Sequence, residues 1–292
     1  MATIPSDLAD LRRRIDAIDD QMHDLLMERA DIVAQVAASK RGGDVAFYQP
    51  AREAQILRRL AARHHGILPV APVLRIWREM LAATVRLETP FAVAVFAPVE
   101  ARGLWDLARD HYGSHTPISA CCSNAQVIRA VIEGTATVGI LPIPEEDEPD
   151  PWWPHLGSQH DDAPQVIARL PFGIRGNARS DNTDAFVIGR SVQQQTGADR
   201  TLFVTQSVTD TSRARLRKLL AAVDLNGIVL ASYEEAQCTL HLIDLEGFVP
   251  TSDPRISRFY KQFGTAQHRL LSFGGYASPL PEVGLEPAAA KG

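Results

Sequence analysis

Residues Arg12–Lys40 read RRRIDAIDDQMHDLLMERADIVAQVAASK. Ile15, Ile18, Met22, Leu25, Ile32 and Val36 fall on one stripe at a period near 3.6, with no Gly or Pro to interrupt it. The stretch is therefore expected to be one long amphipathic helix. Its stripe is not purely apolar. Arg29 lies between Leu25 and Ile32, and Lys40 follows Val36 by four residues. A helix that aims a guanidinium and an ammonium along the face it means to bury needs a chemical reason.

Working outward, Ser6 or Asp7 is expected to cap this helix, and Gly42 and Gly43 to end it. FYQPAREAQILRRLAARHH predicts a second helix with Pro50 in its first turn. APVLRIWREMLAATVRLE predicts a third, whose stripe is Leu74, Trp77, Leu81, Thr84 and Glu88. Residues 1–90 thus read as an all-α domain. A helix rises about 1.5 Å per residue, so the first is roughly 50 Å long, too long for a 90-residue domain standing alone. Pairing with a second copy would bury the stripe along its length.

Beyond residue 90 the pattern changes. FAVAVFAP, PISACC and TATVGILPIP read as strands, separated by the helical ARGLWDLARDHYG and NAQVIRAVIEG. This βαβαβ alternation implies a small open parallel sheet. The polar, Pro-rich stretch after it reads as a loop; its Trp152-Trp153 is expected to cover a core edge, and Glu145–Glu148 to be solvated. ARLPFGIR and NTDAFVIGR add two strands, which completes a domain over 91–190. Residues 199–278 read strand, helix, strand, strand, helix, strand, the βαββαβ plan of ferredoxin-like folds. Residues 279–292 are expected to be a disordered tail.

Composition narrows the function. The net charge of −5 gives no broad basic surface for nucleic acid. Cys121, Cys122 and Cys238 have neither zinc-site spacing nor the look of a disulfide framework, and His64-His65 reads as a helix end, so no metal is expected. The N-terminal segment has no basic region followed by an apolar core, and no apolar run reaches the roughly 18 residues of a membrane span. The expectation is a cytoplasmic protein with no membrane or nucleic-acid partner.

Arg29 and Lys40 are eleven residues apart, close to three whole turns. They share a face and stand roughly 16 Å apart along the axis, a spacing at which long side chains can converge on a small dianion. Arg12 lies about 25 Å from Arg29 along the axis and suits a partner's pocket in an antiparallel dimer. Thr84 and Glu88 sit one turn apart on the third helix's stripe, and Arg52 and Glu53 open the second helix. So many inward polar groups make a poor core unless they surround a ligand.

These residues, in this order, resemble the all-helical chorismate mutase family over residues 8–90. The matching motifs are LADLRRRIDAIDDQMHDLLMERADIVAQVAASK, FYQPARE and LRIWREMLAATVRLE. The resemblance implies an intertwined homodimer that converts chorismate to prephenate by a Claisen rearrangement without a cofactor. It implies that Arg12 is lent across the dimer to one substrate carboxylate and that Arg29 holds the other. Lys40 would contact the ether oxygen and a carboxylate, Glu53 would take the ring hydroxyl, and Thr84 would lie near a carboxylate. Glu88 would face the ether oxygen, and Arg52 would orient the site. Gln49 stands where some members have an aspartate. An ionised carboxylate cannot donate to an ether oxygen, so Glu88 needs its proton, which predicts better activity toward mildly acidic pH.

The rest resembles the prephenate dehydratase part of bifunctional mutase–dehydratases, followed by an ACT-like domain. The clues are GILPIP, NTDAFVIG and the βαββαβ order. There are departures. The family's Pro-Ile-Glu-Asn is here Pro142, Ile143, Pro144, Glu145, and its Thr-Arg-Phe is here Asp184, Ala185, Phe186 after Thr183. Thr211, Ser212, Arg213 and Ala231, Ser232, Tyr233, Glu234 replace the Gly-Ala-Leu and Glu-Ser-Arg-Pro of phenylalanine-responsive members. The expectation is a mutase with a non-catalytic, structural or regulatory C-terminal half. Two other readings stay open: a bifunctional mutase–dehydratase, and a non-enzymatic helical dimerisation module carrying a small-molecule sensor.

Overall fold

The computed structural model describes residues 8–40, 46–98, 102–146, 148–156, 163–173, 183–207, 211–235, 238–263 and 270–281. The expected caps Ser6 and Asp7, the stop at Gly42 and Gly43, and residues 282–292 of the tail lie outside them.

Three helices come first: α1 (Leu8–Lys40), α2 (Pro50–Arg63) and α3 (Val70–Glu88). Pro50 stands at the start of α2, where its missing N–H costs nothing. Then come β1 (Val93–Phe96), α4 (Arg102–Tyr112), β2 (Ile118–Cys121), α5 (Asn124–Ile132) and β3 (Val138–Pro142), followed by β4 (Gln165–Leu170) and β5 (Ala185–Gly189). The last stretch holds β6 (Asp199–Ser207), α6 (Arg213–Ala221), β7 (Gly227–Glu235), β8 (Cys238–Glu246), α7 (Pro254–Phe263) and β9 (Leu270–Ala277).

The chain divides into two units. One comprises residues 1–47 and 84–90; the other comprises 48–83 and 91–292. The division falls inside α3.

In the first unit, α1 leaves its apolar stripe uncovered. Ile15, Ile18, Met22, Leu25, Ile32 and Val36 are between 42% and 64% exposed, whereas Ala37 is buried. In the second unit, the strands form one nine-stranded sheet in the order β2-β1-β3-β5-β4-β9-β6-β8-β7. β2, β1 and β3 are parallel, as expected of a βαβαβ unit. β9-β6-β8-β7 is fully antiparallel and has the strand order of the ferredoxin-like plan.

Periodicity gave no sign that the two halves share a sheet. They join where β4 meets β9 at Val166 and Gly274. Gly274 has φ +92, and a Cβ there would run into the Val166 backbone, so only glycine fits the junction. Trp152 and Trp153 are buried in the core with Phe186 and Tyr276, and the Trp152 indole donates to Pro142 O at 3.1 Å. α2 and the first turns of α3 share a cluster of Leu57, Leu60, Leu74 and Leu81 with Phe172. The expected tail is anchored where it starts: Leu280 donates its N–H to Phe172 O at 2.7 Å.

Candidate functional site

Among the sequence-derived candidates, Arg12, Arg29, Lys40, Thr84 and Glu88 belong to the first unit, and Gln49, Arg52 and Glu53 to the second. In the first unit, the last residue of α1 meets the last residue of α3. Lys40 Nζ donates to Glu88 Oε2 at 2.9 Å, with both side chains nearly buried. The same ammonium donates to Phe47 O at 3.4 Å and lies 5.8 Å from the Phe47 ring centroid. A buried ammonium with three donors is thus fixed by a carboxylate, a carbonyl and a ring face. Thr84, one turn before Glu88, is buried.

Arg29 is half-buried, and its Nη1 is shielded from solvent with no hydrogen-bond partner among the described residues. Burial lowers its pKa from the ordinary guanidinium value. Arginine remains charged there, so this donor calls for an acceptor that the described residues do not supply. Arg12 is exposed.

In the second unit, Glu53 sits in the first turn of α2, 9% exposed, and accepts from Arg78 Nη1 at 3.0 Å. Its burial pushes the carboxyl pKa up, and Arg78 pulls against that. Gln49 is half-buried, and its carbonyl takes the Glu53 N–H at 3.2 Å, which fixes the entry to α2. Arg52 is exposed.

The sequence reading missed Arg78, although it follows Leu74 by four residues and precedes Leu81 by three, on the buried face of α3. Its partner His111 carried no sequence signal, because their contact is tertiary.

The dehydratase-like positions are differently employed. Asp184 accepts from Arg169 Nη2 at 2.7 Å, and Arg169 reaches Tyr276 Oη at 3.4 Å. Tyr276 Oη donates to Asp244 Oδ2 at 2.7 Å, and Arg200 Nε donates to Asp244 Oδ1 at 2.7 Å. This network stitches β5, β4, β9, β8 and β6 together. A hollow of about 790 Å³ opens beyond the carboxyl ends of β1 and β2. Its lining holds Glu133, Glu148 and Asp150 against the single cation Arg129, with Trp152 and His155.

No group of three or more potential metal ligands occurs among the described residues. No helix among them is long and apolar enough to cross a membrane.

Residues 11–89 match the family model of chorismate mutase type II. The N-terminal region therefore carries a domain of that family, as its resemblance implies. The chain is 30% identical over 143 residues to a bifunctional chorismate mutase/prephenate dehydratase of Stutzerimonas stutzeri. It is 31% identical over 143 residues to the protein of the same name from Pseudomonas aeruginosa. Each match covers 47% of this chain and 39% of the relative, so the chain spans well under half the length of these curated relatives. Among solved structures, a prephenate dehydratase from Streptococcus mutans aligns with TM-score 0.45 at 15% identity, over 65% of this chain and 98% of that one.

Proposed function

We propose that this chain is a cytoplasmic chorismate mutase, converting chorismate to prephenate in the synthesis of phenylalanine and tyrosine, with a C-terminal half that is not a dehydratase. The observation that carries the reading is the unpartnered Arg29 Nη1 together with the Lys40–Glu88 pair, inside the segment that matches the mutase family.

The rearrangement needs no nucleophile, metal or cofactor. It needs an extended dianion held in a compact chair and stabilisation of the negative charge that grows on the breaking ether oxygen. Preorganised cations and hydrogen-bond donors supply both. In this reading Arg29 binds one carboxylate bidentately, and Arg12 of a second copy binds the other. Lys40 donates to the ether oxygen, and protonated Glu88 donates from its other side. Glu53 accepts from the ring hydroxyl. Thr84, Gln49 and Arg52 complete the contacts. The uncovered stripe of α1 supports a homodimer, since a contiguous apolar face of this length asks for a partner. The C-terminal strand order supports an ACT-like domain over 199–278, after a dehydratase-like region over 91–190.

The names of the relatives favour a second reading, a bifunctional mutase–dehydratase. Two observations weigh against it. Asp184 is engaged by Arg169, and the hollow at the carboxyl ends of the strands carries three carboxylates, a poor host for a dicarboxylate. The test of the mutase reading is the loss of chorismate absorbance with the purified chain and with Lys40→Ala. Rapid loss with the former and none with the latter is expected; equal rates would overturn the assignment.

A further inference from the structure

The C-terminal turn of α4 is gripped by α3. Arg75 Nη2 pairs with Asp110 Oδ1 at 2.5 Å. Arg78 Nη1 donates to His111 Nε2 at 3.3 Å. The Glu79 carboxylate accepts the Ser114 N–H at 2.9 and 3.2 Å. Gly113, at φ +78, leaves that carboxylate its place, for a Cβ there would lie 2.6 Å from Glu79 Oε2. Tyr112 Oη meets the hydroxyl of Tyr48, just ahead of α2, at 3.1 Å.

The middle contact has chemical content. Arg78 is 8% exposed, and the Nη1 that faces His111 also donates to Glu53 Oε2. His111 is half-buried, and desolvation and the nearby Arg78 charge both hold its imidazole well below the usual pKa. It is therefore neutral, with the Nε2 lone pair toward Arg78 and its proton on Nδ1. The result is a relay from α4 through α3 to α2: His111 orients Arg78, and Arg78 orients Glu53. A buried ion pair seldom stabilises a fold more than an apolar pair of the same size. Its presence beside Glu53 is better explained by what it does to the carboxylate.

We propose that Arg78 is a positioning residue for the mutase reaction, and that α4 of the C-terminal half sets it through His111. The proposal rests on the assignment of the substrate's ring hydroxyl to Glu53. It gives the C-terminal half a task in the mutase reaction whether or not it binds a ligand of its own.

The test is a double-mutant cycle in the full chain, reading kcat and KM for chorismate beside Tm. Arg78→Met and Glu53→Gln are each expected to lower kcat/KM roughly tenfold or more, and the double variant to be no worse than Glu53→Gln alone. Arg78→Lys should restore part of the loss, and His111→Leu should reproduce a smaller one. If Arg78→Met does not fold, the double variant, which buries no lone charge, is compared with Glu53→Gln; a further drop overturns the proposal. So does a folded Arg78→Met with unaltered kcat/KM, or losses that multiply in the double variant. A wild type inert toward chorismate, or a Glu53→Gln as active as wild type, would sink the underlying assignment and the proposal with it.

Discussion

Arg29 of α1 and two cations of the sheet, Arg169 and Arg200, have opposite fates. Arg29 buries a guanidinium nitrogen with no partner among the described residues, on a helix whose apolar face is bare. Arg169 and Arg200 are held by Asp184 and Asp244, with Tyr276 between them, in a sheet whose core is closed. A buried cation without a partner is costly unless something arrives to meet it. Arg169 and Arg200 are already matched in charge and geometry within the second unit. Chemistry is therefore to be sought first at Arg29, whose Nη1 the described residues leave without an acceptor.

The largest effect is expected at Arg29. Arg29→Ala should lower kcat/KM by about a hundredfold or more, as removal of a preorganised donor typically does, with little change in Tm. A large loss of Tm with modest kinetic loss would mean that Arg29 is structural after all. The reverse is expected of Asp244, which is 1% exposed. Asp244→Asn should cost about 3 kcal/mol in denaturant unfolding, since it strips the charge from a carboxylate that holds Arg200 and Tyr276, and should leave kcat alone.

A smaller effect is expected from pH. Desolvation and the Arg78 charge lower the pKa of His111, so its folded value lies below its unfolded value near 6.5. The unfolded chain then binds the extra proton first. The contribution of His111 is complete above about pH 6.5 and is lost as pH falls toward the folded value, with a slope of at most about 1.4 kcal/mol per pH unit. Glu53, whose pKa is raised, works in the opposite sense near its own range, so the two must be separated. The difference between wild type and His111→Gln isolates the histidine: a parallel pH dependence in both would refute the assignment.

The smallest expected effect is at Glu88. Here Glu88 accepts from Lys40, whereas a group that donates to an ether oxygen must carry a hydrogen, as a carboxamide does. Glu88→Gln should be at least as active as wild type at neutral pH; a weaker Glu88→Gln would contradict this role.

Much of the fold was readable from local chemistry. Pro50 opens α2, the 3.6 period carries α1 to Lys40, and the alternation after residue 90 yields the parallel strands. The long-range features were not readable. The β4–β9 junction depends on one left-handed glycine, Gly274, whose need appears only when Val166 is beside it. Arg78 was on view in the sequence at a buried register of α3, yet an arginine there reads as an ordinary surface residue until Glu53 and His111 are seen around it. For the candidate site, Arg29, Lys40 and Glu88 declared themselves as charges on apolar stripes. Arg12 was picked out by its distance along α1 and Arg52 by its place at the start of α2, yet both are exposed, and their roles came from the family resemblance.

The central claim is that the helices catalyse and the sheet does not. It is tested most directly by following chorismate with the purified full-length chain by NMR at near-neutral pH. Prephenate should accumulate and persist. Phenylpyruvate forming without acid treatment, or chorismate left unchanged, would contradict the account.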